Sequence, residues 1–276
     1  MSKVWFITGA TRGLGIEIAR AALAAGAQVV ATGRQAEAVT KALGQNERLL
    51  PLTLDVNDET QAATAIASAV SHFGRIDVIV NNAGFGLLGA LEELSDTEVR
   101  QLFDTNVFGL LNVTRAALPV LRSQGSGHII NISSLAGFHG DAGASAYCAT
   151  KFAVEGITEC LAVEIAPLGL HATVVEPGYF RTEFLSDKSM RFASKVIDDY
   201  ADTAGSMRST ATEVHGQQAN DPRKLAQALV LLANEQKPPL RFTAGSDAVE
   251  YFEAELQKRH DGLAQWRELS VSLAHE

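Results

Sequence analysis

Short, unbroken apolar runs alternate along this chain with longer stretches of helical spacing. Val4-Trp-Phe-Ile7 is apolar throughout, as a strand covered on both faces of a sheet should be. Ile16 to Ala25 then places its apolar residues at helical spacing, and Gly26 ends it. Gln28 to Thr32 and Leu49 to Leu54 read as the next two strands, the second followed by Asn57-Asp58 as a helix start. A helix through His72 leads to the strand Val78 to Val80. Ser95-x-x-Glu98 is a capping box that opens one long helix containing Asn106. Gly127 to Ser133 is another buried strand, and a helix from near Ser145 to about Ala166 ends at Pro167-Leu-Gly169. Leu170 to Val175 is a sixth strand, Asp221-Pro222 starts a further helix, and Leu240 to Thr243 is the last strand.

Strand and helix in strict alternation predict an α/β fold: a single domain of the doubly wound, Rossmann type. Its sheet should be mainly parallel with about seven strands and helices on both faces. Two segments stand outside the alternation. From 184 to 220 the periodicity fades into a polar stretch holding Met190, Phe192, Tyr200 and Met207, which predicts a substrate-binding loop or lid. From 246 to 276 the chain reads as a charged amphipathic helical extension, one helix or two. No internal repeat or second domain is evident.

Composition narrows the function. The chain has 276 residues, 46% of them hydrophobic, enough for one sizeable core near the upper limit for a single domain. A formal charge of -9 without any basic cluster argues against nucleic acid as a partner. Val4 to Ile7 is too short to span a bilayer and no signal-peptide pattern precedes it, so the expectation is a soluble, cytoplasmic protein. Cys148 and Cys160 lack metal-ligand spacing and read as reduced thiols; no metal site is expected.

Candidate chemistry begins at Thr8-Gly-Ala-Thr-Arg-Gly-Leu-Gly15, between the first strand and the first helix. Gly9, Gly13 and Gly15 let the backbone turn tightly and approach a pyrophosphate at the helix N-terminus. The spacing is Gly-x-x-x-Gly-x-Gly, and its place between strand and helix is what turns a glycine cluster into a nucleotide-site prediction. The second strand ends in Gly33-Arg34, where a carboxylate would suit the ribose 2′-OH of NAD. Arg34 and Arg12 instead suit a 2′-phosphate, which predicts NADP. Asn81-Asn-Ala-Gly84 places another backbone loop at the carboxyl edge of the sheet. Asn106 is a poor helix former that needs hydrogen-bond partners if buried.

The richest stretch runs from Asn131 to Lys151. Tyr147 and Lys151 lie four apart on a helix and share a face, so the ammonium can sit beside the phenol and favour its ionised form. Ser134, at the strand end before them, can aim its hydroxyl at the same spot. Tyr-x-x-x-Lys alone is a common coincidence, and it gains meaning from the nucleotide turn that would face it. His139 reads as a loop histidine rather than a base.

Together, Thr8-Gly-x-x-x-Gly-x-Gly15, Asn81-Asn-Ala-Gly84, Asn106, Ser134, Tyr147-x-x-x-Lys151 and Pro177-Gly178 resemble the short-chain dehydrogenase/reductase family over almost the whole chain. The run Asn81 to Thr114 resembles its steroid and retinol dehydrogenase branch. The resemblance implies that Tyr147 is general acid and base, that Lys151 lowers its pKa and binds the nicotinamide ribose, and that Ser134 bonds the substrate oxygen. It also implies that Asn106 helps hold a proton-relaying water and that hydride passes directly from nicotinamide to the carbonyl carbon. Gly9, Arg12, Gly13 and Gly15 would hold the pyrophosphate, Asp55 and Val56 the adenine, and Asn81 the ribose. Thr182 would lie by the carboxamide, and Pro177 and Gly178 would also bind the cofactor. The implied function is NADP(H)-dependent reduction of a largely apolar ketone or aldehyde, or oxidation of the matching alcohol. Leu135, Phe138, Phe85, Tyr179 and Phe184 would rim the pocket. Pairing as a homodimer or homotetramer through the helices that hold Asn106 and Tyr147 is implied as well. Two rivals stay open: an NADP-binding redox sensor or scaffold without turnover, and an epimerase or dehydratase without net redox change.

Overall fold

The computed structural model describes residues 2–275. In chain order its elements are β1 (Val4–Ile7), α1 (Gly13–Ala24), β2 (Gln28–Gly33), α2 (Ala36–Leu43), β3 (Leu49–Thr53), α3 (Glu59–Phe73) and β4 (Val78–Asn81). Then come β5 (Gly86–Leu88), α4 (Asp96–Phe103), α5 (Gly109–Gln124), β6 (Gly127–Ile132), α6 (Ser145–Ile165) and β7 (Leu170–Pro177). The chain closes with β8 (Met190–Phe192), α7 (Ser206–Val214), α8 (Pro222–Leu232), β9 (Arg241–Ala244) and α9 (Ser246–Val271).

Seven strands form one sheet in the order β3-β2-β1-β4-β6-β7-β9, with every neighbouring pair parallel. This is the predicted doubly wound α/β sheet. The winding reverses at β1: β2 and β3 lie to one side of it, β4 and the later strands to the other. In such sheets the crevice outside the carboxyl ends of the two strands at the reversal receives the ligand. Successive side chains of β1 show why the run is apolar throughout. Trp5 and Ile7 pack into a cluster with Ile18, Ala22 and Leu229 of α1 and α8. Phe6, between them, joins the opposite cluster with Ile66, Val113 and Leu161 of α3, α5 and α6. Both faces are covered, so neither can be polar.

The turn after β1 is fixed by sterics. Gly9 and Gly13 have φ of 65° and 58°, in the left-handed region that favours glycine. Gly15 serves close packing instead: a Cβ there would stand 2.5 Å from both Asn82 Nδ2 and the Gly9 carbonyl oxygen. Asn82 occupies that space to clamp the turn, donating to the carbonyls of Thr8 (2.9 Å) and Gly9 (3.2 Å). Gly15→Ala should therefore push Asn82 off the turn and cost about 1–3 kcal/mol. Thermal unfolding and cofactor titration would check this, and an unchanged melting temperature with intact cofactor binding would count against the packing account.

Two elements differ from the sequence expectation, and a third takes one of the two forms expected. The capping box at Ser95 and Glu98 forms, but the long helix it opens divides into α4 and α5 around a π-helical turn at Asp104–Phe108, which contains Asn106. Such turns widen a helix locally and cluster at functional sites. The segment from 184 to 220 is folded: short 3-10 turns, a π-helical turn, α7 and the strand β8, which pairs in parallel with β5. At three residues each, β5 and β8 are too short to show an alternation. The tail from 246 is one helix, α9, whose far half projects into solvent.

Candidate active site

A cavity of about 510 Å³ opens at the carboxyl ends of the central strands, where the winding reverses. That is ample for a small ligand. One end is lined by the glycine turn, Arg34 and Asp55-Val56-Asn57. The middle is lined by Asn82-Ala-Gly84 and by Pro177-Gly178 with Thr182, and the far end by Ser134, Tyr147 and Lys151.

Ser134 leaves the end of β6 and caps a short turn, its hydroxyl accepting from the Ala136 N–H at 3.2 Å. Tyr147 and Lys151 come from the first two turns of α6, one above the other. The lysine Nζ stands 5.7 Å from the tyrosine ring centroid and donates to the Ile132 carbonyl at 2.9 Å. Phe184 closes over the tyrosine ring at 6.0 Å between centroids. Burial pushes the Tyr147 phenol above its usual range, while the Ser134 hydroxyl acts the other way. Lys151 is pulled down to about 8 by burial, against the opposing charge of Glu155. Burial thus favours the protonated form of the phenol. The resemblance implies that Lys151 lowers the phenol; burial, which acts on both groups, opposes that ionisation.

Two groups expected at the cofactor lie behind it. Asn81 is buried in β4 and donates to Thr114 Oγ1 (3.0 Å) and Asn131 Oδ1 (2.9 Å), so its side chain does not line the cavity. The next residue does: Asn82 lines it and clamps the turn. Gly15 likewise sits behind the cavity as a spacer. Asn106, in the π-helical turn, accepts from the Phe85 N–H (3.0 Å) and donates to the Phe85 carbonyl (2.9 Å) and Thr150 Oγ1 (3.2 Å). Its side chain therefore ties the Asn82-Gly84 loop to α6, and this fixes the loop's distance from Tyr147. Asp55 is held by its N–H to Gln61 Oε1 at 2.9 Å, and Val56 by its carbonyl, which accepts from Asn112 Nδ2 at 3.0 Å. Thr182 Oγ1 accepts from the Phe184 N–H at 3.2 Å and so shapes the wall over Tyr147.

Arg12 and Arg34 stand at the same end of the cavity, close enough that Arg34 disfavours the charge on Arg12. Burial is the larger influence lowering the Arg12 pKa, with Arg34 second and Glu183 opposing. Arg12 also donates to Ser189 Oγ (3.0 Å) and the Lys188 carbonyl (2.6 Å), joining the glycine turn to the segment before β8.

Several supports had no sequence signal that singled them out. Asp247, at the start of α9, accepts from the Tyr179 N–H (2.6 Å) and Asn220 Nδ2 (2.8 Å) and holds the loop after β7. Further along α9, Phe252 stacks on Phe138 at 4.3 Å, and Arg259 lies over the same ring. Phe138 thus packs on the tail helix and does not line the pocket. His139 bridges Asp141 (3.2 Å) and Glu255 (3.3 Å). Glu93, with a fully inaccessible side chain, pairs with Arg208 of α7 at 2.6 Å and pins the covering segment over the cavity. Glu93 and Arg208 are more than a hundred residues apart, so no local pattern joins them.

A family model described as short chain dehydrogenase matches residues 3–191. The chain belongs to the short-chain dehydrogenase family. Oxidoreductase BOA17 of Botryotinia fuckeliana is 40% identical over 276 residues, covering 99% of this chain and 100% of that one. The crystal structure of a short-chain dehydrogenase from Streptomyces avermitilis aligns with a TM-score of 0.92 at 39% identity and covers all of both chains. ElxO with NADP bound aligns at 0.75 and 29% identity, over 91% of this chain and 100% of that chain. The extended tail of this short-chain dehydrogenase, α9 included, falls within the aligned length of the Streptomyces protein. Among the described residues no helix is long and apolar enough to cross a membrane.

Proposed function

We propose that this short-chain dehydrogenase reduces a largely apolar ketone or aldehyde with NADPH, with Tyr147 as the proton donor. The observation that carries the reading is a buried phenol beside Ser134, at the far end of a cavity whose other end holds a glycine turn and two arginines. The fit to a dinucleotide rests on the left-handed glycine turn, whose Gly9 and Gly13 line the cavity, and on Arg12 and Arg34, whose mutual repulsion an anion would relieve. The 2′-phosphate of NADP is such an anion. When bound, the cofactor supplies hydride to the carbonyl carbon.

The remaining chemistry falls to the protein. Ser134 donates a hydrogen bond to the carbonyl oxygen as charge gathers there. Tyr147 delivers the proton to the same oxygen, and its raised pKa keeps that proton on the phenol until it is needed. Lys151 holds the ribose side of the cofactor by its ammonium. Phe184, Leu135, Leu88, Met190 and Met207 line the far end and exclude water, which favours an apolar substrate. Exposed Phe108, Phe152 and Val163, around the helices that hold Asn106 and Tyr147, suit pairing with a second copy.

A panel of apolar ketones and aldehydes, followed by loss of NADPH absorbance, tests this reading. Sustained consumption supports a reductase; tight NADPH binding with no turnover of any substrate supports a sensor, and product formation without consumption supports an epimerase or dehydratase. Lys151 adds a pH signature. Because its pKa is pulled down to about 8, the ammonium is present below that pH and lost as pH rises through it. The kcat/KM for NADPH, which reports the free enzyme, should fall on that alkaline limb. A flat profile up to the usual lysine range would show that burial does not pull Lys151 down.

A further inference from the structure

Behind Lys151 lies a charged cluster that the chemistry above does not use. Tyr147, Lys151 and Glu155 follow one another at four-residue spacing on α6 and so form one stripe. Glu155 pairs with Arg241 of β9, which also holds Glu176 of β7 at 2.8 Å and Glu159 of α6 at 2.6 Å. Thr243 donates to the second oxygen of Glu176 at 2.7 Å. One oxygen of Glu155 is left out of this network: Oε1 is buried without a hydrogen-bond partner. Ser133 Oγ, on the strand end beside Ser134, is buried as well; it lacks the geometry of a full hydrogen bond but stands close enough to Glu155 to favour its charge. Both atoms crowd the same face of Gly137, where a Cβ would lie 2.5 Å from Ser133 Oγ and 2.9 Å from Glu155 Oε1. A buried, incompletely satisfied carboxylate is costly, and this one sits one helical turn from the lysine of the proposed reaction.

We propose that Glu155 is a positioning residue for this reaction, acting through Lys151: its carboxylate keeps the buried ammonium charged, and Ser133 and Arg241 keep the carboxylate charged in turn. The inference rests on the reductase reading for its link to turnover, but its binding readout does not need turnover. Lys151 hydrogen-bonds only a neutral carbonyl, that of Ile132, among the described residues. Burial works against its charge and Glu155 works for it. Glu155 is itself pushed up to about 7, first by burial and then by Glu176, against Ser133 and Arg241. The groups that face it are therefore Lys151 and Glu159 of its own helix, Ser133 after β6, Glu176 of β7 and Arg241 of β9. As pH rises through about 7 the carboxylate ionises and supports the lysine over the next stretch of the scale. Arg241 alone could keep a surface pair, but a cluster built only for stability gives no reason for the stripe to run on from Tyr147 and Lys151.

The test compares wild type, Glu155→Gln, Ser133→Ala and Glu159→Gln. The alkaline limb is read twice, as kcat/KM for NADPH and as NADPH affinity by nicotinamide fluorescence. Glu155→Gln should move the limb to lower pH by about one unit. Ser133→Ala, which withdraws support from the carboxylate, should move it the same way by less, and it keeps the question answerable if Glu155→Gln does not fold. Glu159→Gln loosens the same arginine from its exposed side and should leave the limb in place. If Glu155→Gln or Ser133→Ala binds NADPH with the wild-type limb, the inference is overturned; equal shifts in all three variants would also overturn it, as a general loosening of the cluster. Loss of turnover in wild type with a shifted binding limb in Glu155→Gln would sink the reductase reading and leave this one standing.

Discussion

Tyr147→Phe should abolish NADPH-dependent reduction, lowering kcat by about a thousandfold, while NADPH still binds with near wild-type affinity. The substitution removes one hydroxyl and leaves the ring where Phe184 covers it. Lys151 keeps its anchor, because its hydrogen bond goes to the Ile132 carbonyl and not to the phenol. The glycine turn, its Asn82 clamp and the two arginines lie at the other end of the cavity and are untouched. What disappears is the proton that burial had held in place, and water is a poor substitute inside an apolar pocket. Stopped-flow or steady-state loss of NADPH absorbance, with fluorescence titration of the cofactor, separates the two effects. A variant that turned over at a tenth of the wild-type rate or better would show that the proton comes from elsewhere. A variant that lost NADPH binding would place the phenol in the cofactor site and leave its acid role unproven.

The sequence carried the sheet and the reacting stripe but not what supports them. Strands such as Val4–Ile7 are legible because both faces are buried, so four residues suffice to mark them, and Tyr147 with Lys151 is legible because one helix carries both. Glu155 continues that helical stripe and could have been found by the same spacing; its partner Arg241, eighty-six residues on, could not. The π-helical turn at Asn106 has no propensity signature, since its cause is tertiary: the side chain is held by Phe85 and Thr150 from two other elements. The strands β5 and β8 exist because they pair with each other across about a hundred residues, and neither has length enough to show a period. Asn81 and Asn82 show the limit of a motif most directly. Adjacent on the strand end, they must point to opposite faces, and only geometry says that Asn82 meets the turn while Asn81 is buried against Thr114 and Asn131.

Arg34→Asp should weaken NADPH by about ten- to a hundredfold while leaving NADH unchanged or slightly tighter. Arg34 is exposed at the end of β2, across from Arg12, and the two guanidiniums share one end of the cavity. Arg34 raises the cost of the charge on Arg12, so the pair gains most from a ligand bearing a phosphate at that point. Arg12 is also committed to Ser189 and the Lys188 carbonyl, which leaves Arg34 as the freer of the two and the better single test. An aspartate at the same position reverses the field and offers an acceptor for a ribose 2′-OH, which NADH has and NADPH lacks. The effect should therefore appear as a change in the ratio of the two affinities, and it should shrink as salt is raised, because the site is open to solvent. Equal weakening of both cofactors would mean that Arg34 only shapes the turn. The choice between them would then have to come from Arg12 or from the segment it holds before β8.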